Sequence, residues 1–215
     1  MENDTVIKKN GIKYPLKEDY NRFFYPSDFK KMFELLKTKQ QHTAICLINT
    51  GARINEIRNV KVEDVTFPNK KIFDDKGTIT FRVTKTKSAK GERRGKVRGP
   101  LPISSKFAKY LKREIAKRKL GQEDTLGILS TNAFNQALKK ASKKAGIRSP
   151  NEFSAHNLRK TFETWLMALG LDGFKLMVHL GHDMKTAAAH YVSPDIFNSQ
   201  QRMEMRDVIG DIYEK

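Results

Sequence analysis

The chain has 215 residues, of which 42 are Lys or Arg and 24 are Asp or Glu, for a formal net charge of +18. Hydrophobic residues make up 38%, enough for a sizeable core, which excludes wholesale disorder and a collagen-like or low-complexity class. The lone cysteine, Cys46, excludes an intramolecular disulfide and a Cys-based zinc cluster, and no apolar run approaches the ~20 residues that span a bilayer.

The N-terminal stretch MENDTVIKKN lacks the apolar core of a signal peptide. The expectation is a soluble, cytoplasmic protein with a polyanionic partner. Nucleic acid comes first as that partner and an anionic membrane surface second. Residues 1–25 show little periodicity and mix Lys8, Lys9, Lys13 and Lys17 with Tyr14, Tyr20, Phe23, Phe24 and Tyr25. They read as a basic, aromatic arm. A compact domain is expected over 26–192 and a tail helix over 193–215.

Phe29, Met32, Phe33 and Leu36 carry the spacing of an amphipathic helix that Ser27 can cap. A second helix through Ala44, Ile45, Leu47 and Ile48 stops at Thr50-Gly51, and a short helical turn follows over 55–60. Residues 78–84 alternate apolar and polar, which predicts a half-buried strand, with Lys71-Ile72-Phe73 and Pro100-Leu101-Pro102-Ile103 as candidate partners. Residues 85–99 hold Lys85, Lys87, Lys90, Arg93, Arg94, Lys96 and Arg98 among three glycines, and read as a flexible cationic loop.

The remainder is helical. One helix carries Phe107, Leu111 and Ile115 and ends by Gly121; a second carries Phe134, Leu138 and Ala141 and ends at Gly146. A third carries Leu158, Phe162, Trp165, Leu166 and Leu169 and ends at Gly170. A short helix runs from Asp172 to Gly181, another covers about 184–191, and Phe197, Met205, Val208, Ile209 and Ile212 make an apolar face on a last one. The fold class is mainly α with a small antiparallel β-sheet (α+β).

At ~100° per residue, His156 and Arg159 share a helix face turned away from the apolar set. A lone H-x-x-R is by itself a solvated polar face. Other segments carry compatible chemistry. Thr50-Gly51-Ala52-Arg53-Ile54-Asn55-Glu56 sets an Arg just past a helix-ending Gly, with Glu56 placed to orient a neighbouring group. Leu180-Gly181-His182 is followed nine residues later by Tyr191.

Taken together these boxes resemble the tyrosine recombinases, the phage-integrase family. That family has T-G-x-R-x-x-E, a hairpin lysine, H-x-x-R, and L-G-H with the nucleophilic Tyr about nine residues later. Here the boxes are Thr50 to Glu56, Lys85-Thr86-Lys87, His156 to Arg159, Leu180-Gly181-His182 and Tyr191, in the family's order.

The resemblance implies the family's catalytic-domain fold and a site-specific recombinase or integrase working through a 3′-phosphotyrosine intermediate, without metal, ATP or other cofactor. It implies Arg53, Lys85, His156, Arg159, His182 and Tyr191 as catalytic residues and Glu56 as support. Lys87 and Lys90 remain alternates for the hairpin lysine. Lys87, Lys90, Arg93, Arg94, Lys96 and Arg98 are expected on DNA phosphates. His179 and His190 are expected to be structural.

The expected partners are double-stranded DNA and further copies of the chain on DNA, with no membrane. Family members usually carry a separate N-terminal helical domain. The chain therefore reads as a minimal recombinase or as a piece of a longer one, and its tail as exchanged between protomers or folded back on its own core. The alternatives are a type IB topoisomerase-like enzyme and a non-catalytic DNA-binding protein on the same fold; charge alone also admits an RNA- or ribosome-binding protein.

Overall fold

The computed structural model describes residues 5–7, 13–15, 23–68, 77–87, 93–181, 196–210 and 212–213, with backbone alone at 5–7, 13–15, 83–87 and 93–96. Besides two short 3-10 turns at Val62–Asp64 and Pro150–Glu152, eight α-helices and five strands occur among them. In chain order these are β1 (Thr5–Ile7), β2 (Lys13–Pro15), α1 (Pro26–Glu34), α2 (Thr38–Thr50), α3 (Ile54–Arg58), β3 (Val65–Thr66), β4 (Thr78–Lys87) and β5 (Arg93–Pro102). Then come α4 (Ser105–Arg118), α5 (Thr131–Lys144), α6 (Ala155–Ala168), α7 (Gly173–Leu180) and α8 (Ser199–Ile209). The mainly α class with a small antiparallel sheet is thus observed. The expected strand at 71–73 and helix at about 184–191 lie outside the described residues.

Helix boundaries follow local chemistry. Pro26 opens α1, its fixed φ suiting a first helical turn, so Tyr25 rather than Ser27 takes the cap position. Ser104 Oγ accepts from Phe107 N in α4, and Asp172 Oδ1 accepts from Phe174 N and Lys175 N in α7.

The sheet differs from expectation. Among the described residues it has the order β3-β4-β5, so β3 (Val65–Thr66), which the sequence pattern did not mark, pairs with β4. Most of the segment read as a cationic loop is β-hairpin, since β4 runs to Lys87 and β5 starts at Arg93. The cations and glycines there have low strand propensity. Main-chain pairing across the two strands, which no local pattern reports, overrides it.

Helix α6 is the central element. All its residues except His156 and Met167 are buried. The last residues of the expected arm belong to the same core. Phe23 and Phe24 are 7% and 1% exposed. Phe24 N donates to Thr161 Oγ1 at 2.9 Å, and Trp165 Nε1 donates to Phe24 O at 3.0 Å. The Phe24 ring stacks on Phe153 at 4.2 Å. Among the described residues the core therefore begins at Phe23, three residues before the expected start, because Phe24 is tied to Thr161 and Trp165 of α6 and Phe23 packs on Tyr25 and Phe197.

Helix α8 packs on α1, α2 and α6 of its own chain, burying Met205 and Ile209, with Phe197 and Ile212 buried on either side. Arg202 donates to Ala168 O, and Lys106 Nζ donates to Asp207 O. Past α8, the Tyr213 hydroxyl lies 2.5 Å from His179 Nδ1. His179 Nε2 lies 3.2 Å from Thr50 O, which only accepts, so Nε2 carries the proton and Nδ1 accepts from Tyr213. Burial pulls the His179 pKa down to about 4, against the raising effect of the Thr50 bond.

Two predictions follow from this packing. Phe24→Ala should lower unfolding free energy by about 3–5 kcal/mol in urea denaturation, as for a core aromatic and unlike a residue in a solvated arm. For His179, folded and unfolded states are both neutral above pH 6.5; between there and about pH 4 the unfolded chain binds a proton that the folded chain excludes. Stability should fall across that window by up to roughly 3 kcal/mol. The urea midpoint of the wild type should therefore drop more steeply with acid than that of His179→Gln.

Candidate functional site

The site is built where the C-terminal ends of α2 and α7 meet the flank of α6. Helix α2 ends on Gly51 at φ +58, which a side chain rarely adopts. A Cβ there would lie 2.4 Å from the Phe162 ring and 2.8 Å from Leu180 Cδ2. Only glycine lets the chain turn between α6 and α7 at this point. Thr50 Oγ1 donates to Cys46 O and accepts from Ala52 N, fixing the next step of the turn.

Arg53 then occupies the cap of α3. Glu56, three residues on, takes the Arg53 backbone N–H on Oε2 and the Arg53 guanidinium on Oε1, both at 2.9 Å. The Arg53 side chain remains 55% exposed, while that of Glu56 is 6% exposed.

Arg159 comes from α6. It was expected on a face turned from the core, yet it is 1% exposed. The reason is that α6 is surrounded, so its polar face is also interior. Arg159 Nη1 donates to Gly51 O and Nη2 to Leu180 O, both at 2.7 Å. One planar guanidinium thus ties the Arg53 turn to the Leu180-Gly181 turn.

The third guanidinium is Arg98, which sequence grouped with the loop cations on phosphates. Its side chain is 10% exposed. Nη2 donates to Glu56 Oε2 at 2.8 Å and Nη1 to His179 O at 2.5 Å, and the guanidinium carbon lies 4.6 Å from the Phe81 ring centroid. No signal near it in the sequence marks it: the pairing of Phe81 with Arg98 that turns it inward is set by the strand register. Lys160 and Glu163, on the same side of α6, are also buried, and no local pattern marked them.

The electrostatics agree with this convergence. Burial, then the charges of Arg53 and Arg98, pull the Arg159 pKa down to about 9, against Glu56 and Glu163. Arg159 stays protonated at neutral pH. Burial also lowers Arg98. Burial alone would raise Glu56, but Arg98, the Arg53 N–H and side chain, and Arg159 hold its carboxyl below the usual range. Three guanidiniums thus outnumber the carboxylates of Glu56 and Glu163 at one place.

His156 lies exposed at the second residue of α6, one turn before Arg159. His179 is structural, as expected. His182, Tyr191, His190 and Lys90, and the side chains of Lys85, Lys87, Arg93, Arg94 and Lys96, lie outside the described residues. A separate groove of about 860 Å³, bounded by Phe29, Phe33, Ile45, Tyr110 and Val208, shares no residue with the Arg cluster.

Comparison with known proteins agrees with the boxes. The model of the "Phage integrase family" matches residues 22–196. A protein named tyrosine recombinase XerA from Pyrococcus furiosus is 24% identical over 196 residues, covering 86% of this chain and 62% of that protein. A second protein of that name, from Saccharolobus solfataricus, is 32% identical over 165 residues, covering 75% of this chain and 49% of that protein.

The chain therefore spans between half and two thirds of the length of these relatives. Among solved structures, the Tn1549 transposon integrase in complex with transposon right end DNA shares the fold, with a TM-score of 0.61 and 18% identity over 90% of this chain and 68% of that one. Matched by the family model across most of its length, with the ordered boxes inside that match, the chain belongs to the phage integrase family, the tyrosine recombinases.

Proposed function

We propose that this protein is a DNA strand transferase, a recombinase or integrase that cleaves and rejoins DNA through a 3′-phosphotyrosine bond. The observation that carries the reading is the convergence of Arg53 and Arg159, from segments 106 positions apart, on one corner of the fold beside Glu56. Guanidiniums gathered with too few carboxylates need an anion. A planar fork suits two oxygens of a phosphodiester. Arg53 is the half-exposed member and Arg159 the buried one, so together they can hold non-bridging oxygens from the rim and the floor.

The clamp favours the transition state over the ground state, because attack concentrates negative charge on the oxygens it holds. In the proposed step the Tyr191 oxygen attacks phosphorus. Its proton passes to a base or to the phosphate, the P–O5′ bond breaks, and the 5′-oxygen takes a proton from Lys85 or another hairpin lysine. His156 and His182 donate further hydrogen bonds. One P–O ester is made and one broken, so the reverse attack by a 5′-hydroxyl reseals a strand. The roles of Lys85, His182 and Tyr191 rest on the family boxes.

DNA as substrate draws support from the +18 charge and from the Tn1549 integrase, which was solved with DNA. Lys87, Lys90, Arg93, Arg94 and Lys96 are proposed phosphate contacts on the hairpin. Self-association on DNA and an intracellular, DNA-associated location belong to the same proposal. In the single chain, α8 folds on its own core; exchange between protomers would require it to leave that seat.

The test is covalent trapping. A nicked duplex should yield a denaturant-stable protein–DNA adduct with the wild type and none with Tyr191→Phe. Arg53→Lys and Arg159→Lys should each slow adduct formation by about 10²–10³-fold, the loss expected for one oxyanion donor. An adduct formed by Tyr191→Phe overturns the nucleophile assignment. Supercoil relaxation with no exchange between two duplexes would point to topoisomerase-like action.

Duplex affinity should fall linearly with salt on logarithmic axes, with a slope of about −0.9 per phosphate contact. A slope near zero contradicts the cationic hairpin as a DNA surface.

A further inference from the structure

The geometry points to Arg98 as a positioning residue, one that holds Glu56 and the end of α7 in place so that Arg53 and Arg159 meet. The inference rests on the strand-transfer reading of the same site. Arg98 is not one of the residues that the family boxes nominate. It was expected on DNA.

The argument starts with the ladder. Ile79 pairs with Leu101 and Phe81 with Arg98, so a single residue of β4, Thr80, faces two residues of β5, Gly99 and Pro100. That is a β-bulge, a device that re-aims side chains. Gly99 sits at φ +121, and a Cβ on it would lie 2.9 Å from Ile79 O. Only glycine fits.

Residues opposed across a ladder point to the same face. Phe81 is fully buried, so its partner Arg98 also points into the protein. The neighbouring pair, Arg82 and Val97, points outward: the Arg82 side chain is 54% exposed and Val97 is 64% exposed.

Once inside, Arg98 does two things. It donates to Glu56 Oε2, the same oxygen that accepts the Arg53 backbone N–H. It also donates to His179 O, next to the Leu180 O held by Arg159. Carbonyls in the last turn of a helix lack partners along their own helix and carry its negative end. In α7 two of them are taken by guanidiniums from two different elements. Arg98 thereby joins the hairpin strand, the Arg53 turn and the Leu180-Gly181 turn at one point. Arg98 gives one terminal nitrogen to the Glu56 carboxylate and the other to the α7 carbonyl, and it acts through these two groups.

The test uses the full chain with Arg98→Lys, Arg98→Met and Arg98→Ala. Hydrogen exchange without DNA should show the Arg53 amide at least tenfold less protected in the Lys and Met variants. Amides of α4 and α5 should stay within about twofold of wild type. Adduct formation on a nicked duplex should slow by about 100-fold in both, the loss expected when a clamp shifts by about 1 Å. Duplex affinity should remain within about threefold. Guanidinium chloride at low millimolar concentration should recover part of the Arg98→Ala rate, which an equal concentration of sodium chloride should not.

An unchanged Arg53 amide in both variants overturns the assignment. Adduct rates within twofold of wild type overturn it too, as does a loss of protection spread evenly over the core, which would make Arg98 a packing residue only. If the wild type forms no adduct on any nicked duplex, the strand-transfer reading fails by that result, and the Arg53 amide alone decides whether Arg98 positions Glu56.

Discussion

A buried carboxylate has to be matched by charge or hydrogen bonds, and the Glu56 side chain, 6% exposed, is matched from two sides. Arg53 reaches it from the same turn and Arg98 from the far strand of the sheet. Removing either arginine would take one of two ion-pair partners from a buried carboxylate. The rest of the corner depends on this match, because the atoms that satisfy Glu56 also fix where the α3 turn, the β5 strand and the α7 terminus stand. Arg159 adds a second brace by holding Gly51 O and Leu180 O together.

This construction suits anion chemistry. A pocket made of water-exposed lysines would attract phosphate but place it loosely. Here the guanidiniums are set before any anion arrives, each by partners on the main chain or on Glu56. Fixed donors need no reorganisation when charge develops on a substrate oxygen, which is the general source of electrostatic catalysis. The packing that fixes them is ordinary hydrophobic core. Phe162 and Leu180 close on Gly51, Phe24 and Phe153 cover α6, and α8 lies along α1, α2 and α6. The coupling of Tyr213 to His179, and of His179 to Thr50, links the chain after α8 to the residue just before the Arg53 turn.

Much of the fold and part of the site could be read from the residues alone. Amphipathic spacing located α1, α4, α5, α6 and α8, and glycines marked where α2 and α7 end. These are local properties: a helix face is encoded by residues three and four apart, and a positive φ by the residue that tolerates it. The ordered boxes brought Arg53, Glu56, His156 and Arg159 forward without any coordinates.

Tertiary structure decided what each polar side chain faces. Nothing within a few residues of Arg159 tells that α6 is buried at all but His156 and Met167, or that two carbonyls from other segments await its nitrogens. Nothing near Arg98 separates it from the neighbouring loop cations until a bulge at Gly99 and pairing with Phe81 turn it inward. Phe23 and Phe24 carry no periodicity, and only contact with Phe197 and with the Trp165 side of α6, respectively, gives them a place in the core. Sequence by itself determined most of the described helices, several of their ends and the family's residues in order. Which charges are buried, and against what, came from contacts between segments tens of residues apart, because burial belongs to the neighbours that packing brings and not to the side chain that is buried.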